Sequence, residues 1–109
     1  PIEADLVFDV RFLPNPFWVP ELRPKTGLSS DVASYVMAQA GATEFIDRVE
    51  QLLVGMAPGY LREGKKQVTV AVGCTGGKHR STAISEELST RLAARGHRIA
   101  VLHRDLGKE

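Results

Sequence analysis

Between Asp5 and Phe12 the apolar positions alternate, with Leu6, Phe8, Val10 and Phe12 on one side and Val7, Asp9 and Arg11 on the other. A period of two predicts a strand over residues 5–12 with one buried face, and it puts Asp9 and Arg11 together on the opposite face. The alternation then stops. Pro14, Pro16, Pro20 and Pro24, with Asn15 and Gly27, punctuate residues 13–29 and predict an ordered loop, in which Phe17 and Trp18 serve as apolar anchors. Ser30 reads as the N-cap of a short helix over 31–40, and Gly41 closes that helix in a left-handed conformation. Thr43 caps the next helix, along which Phe45, Ile46, Val49, Leu52, Leu53 and Met56 form one apolar stripe until Pro58 and Gly59 end it.

A polar stretch over 62–67 leads into Val68, Val70, Ala71 and Val72, a β-branched run suited to a buried strand. Ile84, Leu88 and Leu92 line one face of a helix that runs to Arg95 and is closed by Gly96, and residues 99–102 form a last apolar strand. The order strand, helices, strand, helix, strand predicts an α/β fold: a single small domain with a mostly parallel sheet and flanking helices. Ligands of such sheets sit beyond the carboxyl ends of the strands.

A length of 109 residues suits one domain, over 1–109, and 43% hydrophobic with 25% charged residues excludes a disordered chain. No apolar run approaches the ~20 residues of a membrane span, and no secretory leader pattern is visible. Cys74 is the single cysteine, which excludes an internal disulfide and a multi-cysteine zinc site and points to a reducing cytoplasm. His97 follows the helix-closing glycine without a ligand-spaced partner, so no metal site is expected. A start at Pro1 reads as a piece cut from a longer protein. Charge is uneven: residues 1–66 carry a net −2 and residues 67–109 a net +3, which favours an anionic ligand on the later half.

The chemistry gathers at Gly73-Cys74-Thr75-Gly76-Gly77-Lys78-His79-Arg80-Ser81, between a buried strand and an amphipathic helix. Backbone N–H groups and the helix dipole converge there, Gly76 and Gly77 allow the chain to curl at positive φ, and Lys78 and Arg80 add charge, so phosphate or sulfate is the expected occupant. A nucleotide-hydrolysing P-loop is rejected, since Val72 stands where its first glycine belongs and His79 where its magnesium-binding Ser/Thr belongs. Cys74, Arg80 and Ser81 also match the C-x5-R-S/T loop of cysteine phosphatases, with Asp9 as the candidate acid, although Gly73 replaces the histidine usual before the nucleophile. Phosphate binding without turnover, phosphatase chemistry and a purely structural glycine turn all remain open on these residues. His79 suits a pH-sensitive group or a hydrogen bond to a sugar hydroxyl, and equally a surface histidine at a helix start.

Three motifs in order, Asp9-Val10-Arg11-Phe12-Leu13-Pro14-Asn15-Pro16, then Leu22-Arg23-Pro24 with Thr26-Gly27, then the Gly73 to Ser81 loop, resemble the C-terminal domain of the RapZ family of bacterial RNase adapters and nucleotide-binding proteins. The resemblance spans essentially the whole chain. It implies a separate N-terminal P-loop domain, outside this chain, that binds ATP or GTP, and no cofactor in the present domain. It implies that the domain itself is a regulatory binding module, not an enzyme, that senses a phosphorylated amino sugar such as glucosamine-6-phosphate. Further implied partners are small RNAs, a protein such as RNase E, and further copies of the chain. The implied pocket falls on Cys74, Thr75, Gly76, Gly77, Lys78, His79 and Arg80, with Asp9, Arg11 and Asn15 from the first strand and its loop. Two departures stand out. Phe17 replaces a histidine of the enterobacterial adapter, and the chain ends in His103-Arg104-Asp105-Leu106-Gly107-Lys108-Glu109 where that adapter has a lysine and arginine cluster. For an RNA-binding alternative the candidates are Arg98, His103, Arg104 and Lys108, with Arg91 and Arg95 extending a basic edge.

Overall fold

The computed structural model describes residues 3–96 and 98–106. Its elements run β1 (Leu6–Asp9), a 3-10 turn (Pro16–Trp18), α1 (Ser30–Met37), α2 (Ala42–Arg62), β2 (Val68–Cys74), α3 (Arg80–Ala94) and β3 (Ile99–Asp105). The three strands form one parallel sheet in the order β1-β2-β3, with Leu6 beside Val70 and Val70 beside Val101. The expected α/β fold with a mostly parallel sheet is therefore present, and the sheet is parallel throughout.

Both crossovers advance in the same direction across the sheet, and right-handed crossovers of that kind bring the helices to one face. The core reflects this. Val70, Val72 and Cys74 on β2, with Leu6, Phe8 and Val101 beside them, pack against Val32 and Val36 of α1, Ile46, Val49 and Leu53 of α2, and Ile84, Leu88 and Leu92 of α3. Val7, on the opposite face of the sheet, is 55% exposed.

Several boundaries differ from expectation. The first strand ends at Asp9: Val10 still donates to the Gly73 carbonyl, but the Leu13 N–H bonds the Val10 carbonyl and closes a turn that leaves Arg11 off the strand face. The short helix begins one residue early, at Ser30, and ends at Met37. Gly41 does adopt positive φ, but as the residue that leads into α2, a position assigned above to Thr43. Pro58 does not end α2, which continues to Arg62. A proline inside a helix costs about 3 kcal/mol, and the last turn is kept because Tyr60 packs against the core. Leu52 lies outside the buried stripe at 47% exposure. β2 and β3 both run further than the apolar pattern alone suggests, to Cys74 and Asp105.

The proline loop is ordered, as expected, although its anchors are not Phe17 and Trp18, which are 42% and 72% exposed. Leu13, Pro16 and Leu22 are buried in their place.

Candidate functional site

The strand register brings Asp9, Gly73 and Arg104 level with one another, so the segments that follow all three strands meet at one rim of the sheet. The glycine-rich loop rises from β2 at the centre of this rim. Gly76 and Gly77 take φ of 84° and 64°, the left-handed conformation that the curl requires. α3 then starts at Arg80 without a side-chain cap and without an acidic residue in its first turn. Among the described residues, the Gly77, Lys78 and His79 amides donate to no protein acceptor. An uncapped helix start preceded by inward-curled peptides carries concentrated positive potential.

The side chains of this loop reach outward to the proline loop. Lys78 Nζ donates to the Arg23 carbonyl at 3.0 Å. His79 is 5% exposed, and its Nε2 lies 3.2 Å from both the Leu22 and Arg23 carbonyls, so that nitrogen carries the proton. The amide of Gly27 donates to the Lys78 carbonyl at 2.8 Å. At Gly27 a β-carbon would lie 2.4 Å from the Ala83 nitrogen and 2.5 Å from the His79 oxygen, which explains why the chain has glycine there.

Arg80 is also 5% exposed, and one terminal nitrogen donates to the carbonyls of Arg11 (3.0 Å) and Leu13 (2.9 Å). Its Nε is buried without a protein partner. The guanidinium thus ties the bend after β1 to the start of α3 while keeping one donor unspent.

The other sequence candidates fall into three groups. Asn15 joins the site as a loop builder: its side-chain oxygen accepts the Phe17 N–H at 3.1 Å and caps the 3-10 turn. Asp9 and Arg11 form a closely fitted pair, Nε at 3.0 Å from both carboxylate oxygens and a terminal nitrogen at 2.6 Å. Hydrogen bonds from Arg11 hold the Asp9 carboxyl below the ordinary carboxylate range, helped by the charge of Arg80. Cys74 is fully buried, with its thiol 3.2 Å from the Ser81 hydroxyl and receiving the Ser81 N–H at 3.2 Å. A buried sulfur and an Asp9 carboxyl held below the ordinary range by Arg11 are poor equipment for phosphatase chemistry, which needs an accessible thiolate and a proton donor.

Sequence reasoning missed Asp105, whose carboxylate accepts the Gly76 N–H at 2.7 Å and takes one loop amide out of use. The polar run His103-Arg104-Asp105 looked like the end of a strand, and only the register with β2 extends it. It also missed the carbonyl acceptors of residues 11, 13, 22 and 23, which no side-chain pattern reveals.

A cavity of about 430 Å³ lies between the two loops, lined by Asn15, Phe17, Trp18, Thr75, Gly76, Lys78 and His79. It is the point on the rim where the glycine-rich loop, a lysine and two aromatic residues line one space. The RNA candidates are split. Arg98 precedes β3, while His103 and Arg104 are exposed near its far end, roughly 17 Å away at strand rise and on the rim that carries the glycine-rich loop, and Lys108 falls outside the described residues. Arg91 bonds Asp47, Glu50 and Glu87, and Arg95 bonds Glu50, so neither extends a free basic edge. No His, Cys, Asp and Glu group suited to a metal ion, and no helix long and apolar enough to cross a membrane, occurs among the described residues.

The sequence profile of the RapZ C-terminal domain matches residues 1–107. The chain is 96% identical, over its whole length, to part of a nucleotide-binding protein of Cutibacterium acnes, covering 38% of that protein. It is 65% identical to part of a nucleotide-binding protein of Streptomyces coelicolor and 57% identical to part of one from Thermobifida fusca, again over the whole chain and covering 36% and 37% of them. The chain therefore spans well under half the length of these relatives. With a profile match over nearly every residue, the chain belongs to the RapZ C-terminal domain family.

Proposed function

We propose that this domain is the metabolite-sensing module of a longer nucleotide-binding protein and that it holds a phosphorylated amino sugar, such as glucosamine-6-phosphate, between the 74–80 loop and the proline loop. The observation that carries the reading is the cavity in which the loop of unpartnered amides meets Lys78 and an aromatic wall. A phosphate would take the amides of Gly77, Lys78 and His79 together with Lys78 Nζ, each charge-assisted bond contributing about 1.5–3 kcal/mol. Thr75 and the Asn15 amide nitrogen suit hydroxyl or amino groups. Arg80 then acts through the loops it joins, with its Nε as a further donor.

Nucleotide binding, named for the relatives, is assigned to the part of the longer protein beyond this chain, because Val72 and His79 depart from the P-loop pattern here. The uncombined Cys74 thiol fits a reducing cytoplasm. Self-association, small RNA and an RNase partner remain part of the proposal and rest on the family resemblance alone.

Calorimetric titration of the domain with glucosamine-6-phosphate, alongside glucosamine and inorganic phosphate, tests the proposal. Saturable heat that needs both sugar and phosphate supports a metabolite sensor. Heat from none of the three overturns it, and strongly salt-dependent RNA binding by the same sample would then favour the RNA reading.

A further inference from the structure

Trp18 is the only tryptophan of the chain, and at 72% exposure it does little for the core. The loop that carries it is fixed without it, by buried Leu13, Pro16 and Leu22 and by the Gly27 contact with Lys78 and α3. An indole left in water on an otherwise anchored segment is available for a ligand. It also lines the 430 Å³ cavity across from Thr75, Gly76, Lys78 and His79.

The ring is braced. Trp18 stands nearly perpendicular to Phe17, at 87° with centroids 5.2 Å apart. The Arg23 guanidinium lies 4.8 Å from the centre of the Phe17 ring, and Arg23 Nε bonds the Phe17 carbonyl at 2.7 Å. Arg23 is in turn tied through its own carbonyl to Lys78 and His79. A chain of contacts thus runs from the amide-bearing loop to the indole and leaves the indole little freedom to lose on binding.

The two sides of the cavity ask for different chemistry. Amides and a lysine suit an anion, whereas the face of an indole offers a flat, weakly negative surface that suits the C–H bonds of a ring and not phosphate oxygens. We propose that Trp18 is a specificity-determining residue: it packs against the ring of a cyclic sugar phosphate whose phosphate sits on the loop amides, and so selects ring-bearing phosphates over open-chain ones. This rests on the phosphate site proposed above.

The test compares glucosamine-6-phosphate with glycerol 3-phosphate, which has the phosphate and no ring. Because the chain has one tryptophan, its emission reports Trp18 alone. Glucosamine-6-phosphate is expected to shift that emission, and Trp18→Ala to weaken its binding roughly three- to tenfold, the loss of one stacking contact. Trp18→Phe should recover most of that loss, and glycerol 3-phosphate should bind the parent and Trp18→Ala alike while leaving the emission unmoved. Equal binding of glucosamine-6-phosphate by the parent and Trp18→Ala, or an equal emission change with glycerol 3-phosphate, would overturn the assignment. Calorimetric silence of the parent toward both ligands removes the phosphate site itself and Trp18's role with it, an outcome separate from the loss of ring selectivity alone.

Discussion

A guanidinium taken almost wholly out of water must be answered by something, and for Arg80 the answer is two peptide carbonyls from the bend after β1. Removing it leaves both carbonyls short of a donor in a buried place. Arg80→Ala is expected to cost about 3 kcal/mol in urea denaturation, in the absence of any ligand. Unchanged stability would mean that the side chain serves an anion alone. Acid should loosen a different contact. Asp31 accepts from Lys25 and from the Ser29 hydroxyl, and its carboxyl is lowered from 3.8 to about 2. A depressed carboxylate stabilises the fold fully above its unfolded value, and that contribution fades as pH falls from about 4 toward 2. Carboxyl NMR titration should place the Asp31 midpoint near 2, and Lys25→Ala should move it back toward the ordinary value. At this scale the sequence was a partial guide. It named Lys78, His79 and Arg80 as candidates, and the structure brings them together with the proline loop and the bend after β1, but their hydrogen-bond partners are main-chain oxygens brought from more than 50 positions away, and such acceptors carry no signature in side-chain type.

Among the elements, those whose ends are set by local chemistry were legible and those set by pairing were not. Gly96 stops the turn after α3 at a φ of 76°, as its type suggests, and the positive φ of Gly76 and Gly77 was equally readable. The last residues of β3 are polar and would stop a strand on pattern alone, yet Gly73 and Cys74 hold them in register. Pro58 was misread for the same reason, since tertiary packing of Tyr60 outweighs a local penalty. The proline loop is the element most dependent on a neighbour, and Gly27 is where that dependence is tightest. A β-carbon there meets backbone, which cannot step aside as a flexible side chain can. Gly27→Ala is expected to lower stability by roughly 2–3 kcal/mol, measured by the denaturant midpoint, with a larger loss of ligand affinity than at an exposed loop position.

For the whole molecule, the order of elements was enough to foresee a parallel sheet with its site at the carboxyl ends, because crossover rules leave few alternatives. The three parts of that rim lie far apart along the chain: residues 9–28, 74–83 and 103–106. Contacts of such long sequence separation form late and are among the first to open, so the cavity should be assembled after the helices and should breathe before the core does. The Gly27 amide, bonded to the Lys78 carbonyl across that seam, is a natural clock for the motion. In hydrogen exchange it is expected to trade its proton by a partial opening well ahead of amides at the centre of β2, and to slow markedly with saturating glucosamine-6-phosphate. A metabolite that does so would act as the last stitch of the fold, converting its own concentration into the fraction of time for which this rim stays closed.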